Sequence, residues 1–142
     1  MYNDFPGVNT MSFQIPVGEV CEEEFKVLDV HTAKHVGSGD VSVLSTPSMI
    51  AFMEGVALRC LQKHLPEEYT SVGVLVNVKH LNPAPSNSVV KVKASITSVE
   101  GRKVVFSVQA TYKDMVIGEG VHERFIVNRK RFADKIREIL SS

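Results

Sequence analysis

Between Val41 and Leu58 the chain runs for eighteen residues with a single charged side chain, Glu54. Within this run begins TPSMIAFMEGVALRCLQKHL, residues 46–65. It has helix-start chemistry, with Thr46 expected at the N-cap and Pro47 at the first helical position. Leu65 before Pro66 marks its end. Apolar side chains occupy almost the whole circumference as far as Leu58, so this helix needs cover on most sides.

That cover has to come from strands, because the period switches to two after the helix. Val74, Val76, Val78 and His80 share one face of an expected strand, with Leu75, Asn77, Lys79 and Leu81 on the other. The turn-rich NPAPSNS, residues 82–88, breaks it. A further strand puts Val90, Val92, Ala94 and Ile96 on one side, and EGR, residues 100–102, supplies a Gly-containing hairpin. Strands are expected over residues 103–112 and 115–127, reversing at Lys113 and Asp114. Upstream, Phe25 and Val27 alternate with charged residues over a first strand at 23–30. Residues 32–40 read as a loop, residues 1–20 as an irregular arm, and residues 131–142 as a short C-terminal helix.

The order is strand, buried helix, then antiparallel strands in one domain, 1–142. A helix that is apolar nearly all round is covered by a strongly curved sheet, the α+β hotdog arrangement. A flat two-layer packing of one sheet and one helix is the alternative. Either sheet leaves an edge, so pairing into a homodimer or higher homo-oligomer is expected.

Sixteen basic and sixteen acidic side chains balance. No global positive field is available to drive nucleic-acid or anionic-membrane binding. Cys21 and Cys60 are too few for a disulfide framework and lack zinc-site spacing, so reduced thiols are the simplest reading. The first twenty residues lack the basic and apolar regions of a signal peptide, and no segment is long and apolar enough to span a bilayer. A cytoplasmic location is expected.

Three residues are candidates for chemistry. An unpaired carboxylate inside the apolar helix costs several kcal/mol, roughly, so Glu54 either lies on a wet stripe near Arg59 or serves a cleft as a base or orienting group. His80 extends the inward face of its strand to the rim of the core. It is either a satisfied core histidine or a proton acceptor, with a neighbouring carboxylate holding its tautomer. Thr46 is either a plain cap or a hydroxyl beside the reacting carbon, where free N–H groups of the first helical turn would stabilise an oxyanion.

The spacing T-x7-E at 46 and 54, the strand GVLVNVKH ending at His80, and GEGVHER at 118–124 together resemble the fluoroacetyl-CoA thioesterase family of hotdog proteins. The similarity spans roughly residues 20–132. It implies hydrolysis of an acyl-CoA thioester, with Thr46, Glu54 and His80 catalytic and no metal or redox cofactor. It further implies that Gly73 contributes near the bound acyl group and that Arg124 lies beside the site. The stretch HVGSGDVSVL, residues 35–44, has no aromatic residue where that family's fluoroacetyl-specific enzyme carries a phenylalanine. The resemblance therefore implies the reaction class, with a small or medium acyl group, rather than the fluorinated substrate.

Other signals are weaker. His31 and His35, four apart, would present one metal-binding face only on a helix, which Thr32 and Gly37 argue against. Gly118 and Gly120 share strand parity and suit a close approach by the helix or a ligand. Arg129, Lys130 and Arg131 are either a solvated helix start or a landing site for CoA phosphates. Two rival functions remain. A hydratase or dehydratase acting on an enoyl or hydroxyacyl thioester would need an acid and base aimed at carbons two and three. A non-catalytic acyl-CoA-binding module would leave Glu54 exposed or structurally paired.

Overall fold

The computed structural model describes residues 13–142. Residues 1–12 of the expected arm lie outside that range, and residues 13–19 carry no helix or strand. Five strands follow: β1 (Val20–Lys26), β2 (Tyr69–His80), β3 (Val89–Glu100), β4 (Lys103–Tyr112) and β5 (Met115–Asn128). The helices are α1 (Ala33–Val36), α2 (Thr46–Gln62) and α3 (Arg129–Ser141), with a 3-10 turn at Asp29–His31 before α1.

The strands form one sheet, antiparallel throughout, in the order β1-β3-β4-β5-β2. β3, β4 and β5 are the meander expected from their hairpins. Gly101 supplies its turn at φ +62°, and Lys113 turns the next reversal at φ +53°. The sheet wraps α2, which buries Met49, Phe52, Met53, Val56, Ala57, Cys60 and Leu61 against it. Inward side chains such as Val92, Ala94, Phe106, Val108, Ile117 and Ile126 complete one core. This is the α+β hotdog architecture.

Four expectations need correction. β1 ends at Lys26, not near residue 30, because the Val27 N–H turns to the Ser88 carbonyl (2.8 Å) and Val27 enters the core. α2 stops at Gln62, three residues before the Leu65 expected from Pro66. α3 starts at Arg129, two residues early, because Asn128 caps it by accepting from the Arg131 N–H (3.1 Å). Cys21 and Cys60 are joined by a disulfide rather than free, with Cα atoms 5.8 Å apart across 39 residues. Two cysteines are no framework in a count, but the fold lays β1 across the end of α2 and sets them face to face.

Candidate active site

α2 runs antiparallel along β2, and three side-chain contacts mark the path. Thr46, at its first turn, meets His80 at the end of β2. Glu54, two turns on, faces Gly73. Gln62, at its end, bonds the Tyr69 carbonyl (2.8 Å) and the Thr70 hydroxyl (2.9 Å).

The cap of α2 is not Thr46. Ser45 stands at the N-cap, buried, its side chain accepting from the Ser48 N–H at 3.1 Å. It is fixed there because its own N–H reaches the His31 carbonyl (2.8 Å) and neighbouring Leu44 bonds Ala84 (2.9 Å). Thr46 is the first helical residue, and its hydroxyl is released from capping. Thr46 Oγ1 lies 2.7 Å from His80 Nδ1.

His80 is well placed to be a base. Burial pushes its pKa below the ordinary imidazole value, opposed by the backbone of Asn82. Its Nε2 is buried and makes no hydrogen bond among the described residues. In the tautomer that carries its proton on Nε2, Nδ1 is the acceptor for the Thr46 hydroxyl.

The expectation of several free N–H groups at the helix start is corrected. Pro47 has none, Ser48 is capped, and the Met49 N–H bonds the Ser45 carbonyl (2.9 Å). Among the described residues, the Thr46 N–H is the donor of this turn left without a partner.

A second cluster surrounds Glu54. The strand register shifts between Gly73 and Leu75, so the inward phase of β2 changes from Ser71 and Gly73 to Val76, Val78 and His80. Val74 sits in this bulge and not on the inward face expected for it. A Cβ at Gly73 would come within 3.1 Å of Glu54 Oε2, 3.2 Å of His122 Cε1 and 3.4 Å of Arg124 Nη1. Glycine is what lets the three groups converge on the strand.

Arg124, only 6% exposed, lies 3.9 Å from Glu54, which is 41% exposed. Its guanidinium is held by neutral acceptors: Nε donates to Ser71 Oγ (2.8 Å), Nη2 to the Ser71 carbonyl (3.0 Å), and Nη1 to His122 Nε2 (3.1 Å). His122 Nδ1 donates to the Leu75 carbonyl at 2.8 Å, which leaves Nε2 free to accept. Burial, together with the adjacent Arg124, pushes the His122 pKa down and keeps the ring neutral.

One chain therefore assembles two clusters, Thr46 with His80 and Glu54 with Gly73, His122 and Arg124. No hydrogen bond or ion pair among the described residues joins Glu54 to His80, and eight residues of helix, about 12 Å of rise, separate Glu54 from Thr46. The wet-stripe reading of Glu54 is half right, since it is partly exposed. Arg59, however, pairs with Glu23 (2.9 Å). His122 is the site residue that sequence reasoning passed over. Its one signal was its parity with Arg124 in GEGVHER.

The lesser candidates resolve simply. Residues 33–36 are helical after all, since Thr32 caps α1 by accepting from the His35 N–H (3.3 Å) and Gly37 ends it at φ +79°. His31 lies ahead of α1, its Nδ1 accepting from the Leu28 N–H (3.0 Å) and its ring packed edge-on against Phe52. Gly118 admits α2, since a Cβ there would lie 2.5 Å from Met49 Sδ, while at Gly120 it would strike the Asn77 carbonyl of β2. Arg129 bonds the Glu67 carbonyl (2.8 Å) at the start of α3.

A family model described as fluoroacetyl-CoA-specific thioesterase matches residues 27–130, the interval that holds both clusters. The fluoroacetyl-CoA thioesterase of Streptantibioticus cattleyicolor is 30% identical over 128 residues, covering 86% of this chain and 92% of that protein. The chain belongs to the fluoroacetyl-CoA thioesterase family. Its enzyme class is accordingly thioester hydrolase. Among solved structures, one of the fluoroacetyl-CoA thioesterase superposes with a TM-score of 0.82 at 29% identity, covering 88% of this chain and 97% of that one. A Thermus thermophilus member of the thioesterase superfamily gives 0.83 at 26% identity, covering 90% and 95%. A hot-dog-like protein from Thermanaerovibrio acidaminovorans gives 0.81 at 28%, covering 87% and 92%.

Proposed function

We propose that the chain hydrolyses a small or medium acyl-CoA to the carboxylate and free CoA, with Thr46, His80 and Glu54 as its catalytic groups. The observation that carries this reading is the 2.7 Å contact between a helix-terminal hydroxyl and a half-buried imidazole whose pKa is lowered by desolvation. That is the geometry of a nucleophile and its base. Thr46 Oγ1 attacks the thioester carbonyl as its proton passes to His80 Nδ1. The Thr46 N–H faces the oxyanion that forms. Collapse expels the CoA thiolate, which takes the proton from His80, and leaves an acyl ester on Thr46. Glu54, set by Arg124 and Gly73, holds the water that releases the acid. No metal or redox group is needed.

The two clusters meet in a homodimer. β2 is an edge strand whose Val74, Leu75 and Val76 are 38%, 42% and 38% exposed. An edge of that length and character calls for a partner strand. Antiparallel pairing of β2 with its copy about a twofold between Val76 and Asn77 sets His80 of one chain across from Gly73 of the other. The partner's Glu54 then stands over Thr46 and His80.

The segment before α2 supports an acyl group of some size, because the exposed Val36 and Val41 stand there without an aromatic side chain. One solved relative is a fluoroacetyl-CoA-specific thioesterase in complex with fluoroacetate and CoA, which supports a CoA-thioester substrate here. The test is thiol release from a panel of acyl-CoAs of graded length by the purified protein. Turnover of at least one member supports the reading. Tight binding with no thiol release across the panel, or double-bond hydration in its place, would overturn it.

A further inference from the structure

We infer that, once the bond between Cys21 and Cys60 is reduced, these two cysteines with Glu19 and His64 form a binding site for a divalent cation of the zinc class. The site is separate from the chemistry above. Cys60 lies fourteen residues along α2 from Thr46, about 21 Å of helix.

Three of the donors are already gathered. Glu19 Oε2 is 3.7 Å from Cys60 Sγ, and the ligand atoms of Glu19, Cys21 and Cys60 all lie within 4.8 Å of one another. His64 Nε2 is 2.5 Å from the same carboxylate oxygen. Tetrahedral zinc with bonds of roughly 2.3 Å to sulfur and 2.0–2.2 Å to nitrogen or oxygen spaces its donors about 3.3–3.8 Å apart. The Glu19–Cys60 separation of 3.7 Å already has that scale, while the other donors have to move to reach it. Opening the sulfurs to this spacing requires a turn of Cys21, which is half-buried on the edge strand β1. A surface hollow of about 250 Å³, with Cys21, Cys60, Arg59 and Lys63 but neither Glu19 nor His64 on its wall, opens onto the two sulfurs. His64, which bonds Glu19 but lies outside that group of three, supplies the fourth ligand by turning its ring toward the sulfurs.

Charge also fits. Two thiolates and one carboxylate give −3, and a divalent cation leaves −1. Lys63 Nζ, 3.5 Å from Cys21 Sγ and 3.4 Å from Glu19, supplies the remaining positive charge. The reduction balances as two electrons and two protons from a dithiol, which itself becomes a disulfide. Binding then releases the two thiol protons to solvent. The oxidised pair, with no thiolate to offer, does not hold the ion. The cluster thus links β1 to α2 in either redox state, by a covalent bond or through the metal.

The experiment uses the full chain, reduced with a water-soluble phosphine and desalted without oxygen. It is titrated with Zn²⁺ against a chromophoric chelator and, separately, with Co²⁺. The expected result is one equivalent per chain in the reduced protein, with a thiolate-to-cobalt charge-transfer band, and no binding in the oxidised protein. Glu19→Gln and His64→Ala, both at partly exposed positions, should each weaken Zn²⁺ by roughly tenfold or more. Cys21→Ser should abolish the band while circular dichroism shows the fold retained. Absence of stoichiometric binding in the reduced protein, or binding unchanged in Cys21→Ser, would overturn the assignment.

Discussion

Thr46 and His80 are 34 residues apart in sequence and 2.7 Å apart in space. Ser45 makes this possible, since by capping α2 it frees the next hydroxyl for the histidine. Adjacent residues thus divide the cap and the histidine contact, both of which the sequence reading placed on Thr46. Ser45→Ala should lower stability by about 1 kcal/mol, the usual worth of a cap. Thr46→Val should leave stability nearly unchanged and remove hydrolysis. Denaturant unfolding and thiol-release assays on the two variants test the division.

The pH dependence has a definite sign. Burial depresses the pKa of both His80 and His122 in the folded chain. Their contribution to stability is therefore complete above the unfolded value, near ~6.5, and is lost as pH falls through the lower folded values. Hydrolysis should fall over the same acidic window, because a protonated His80 cannot accept from Thr46. A kcat/KM profile whose acidic limb sits below the ordinary imidazole value is expected. His80→Gln should remove that limb from whatever activity survives.

Much of this was legible beforehand. Period-two alternation placed β2 to β5, and the nearly all-apolar α2 demanded a wrapped sheet. That Ser45 and not Thr46 caps α2 was hidden, since serine and threonine in tandem before Pro47 are both good caps and only tertiary contacts at Ser45 choose between them. The bulge at Gly73 was equally invisible, because a one-residue shift leaves no mark in an alternating run of valines. His122 hid for a related reason: a histidine on a strand announces nothing until the Leu75 carbonyl and Arg124 are known to flank it.

Gly73 and Gly120 should respond differently to alanine. At Gly120 the new Cβ meets the backbone of β2, and a loss of roughly 1–3 kcal/mol is expected. At Gly73 the contacts of 3.1–3.4 Å are to side chains of the site, so displacement of Glu54 should cost hydrolysis more than stability. Melting curves beside activity separate the two effects.

A site shared between two chains, as proposed above, predicts complementation. Glu54→Gln and His80→Ala homodimers should both be nearly inactive, and Glu54→Gln should accumulate an acyl ester on Thr46 visible by mass spectrometry. After subunit exchange half the dimers are mixed, and one of their two sites carries neither change. About a quarter of wild-type activity should then return. No recovery after confirmed exchange would mean that each site draws on one chain alone.

The most direct test is kcat/KM for acyl-CoA hydrolysis by His80→Gln, with folding and dimerisation verified. Loss of the base for Thr46 should lower it by roughly 10²–10⁴-fold. A value equal to wild type would contradict the assignment of hydrolysis to this hydroxyl and imidazole.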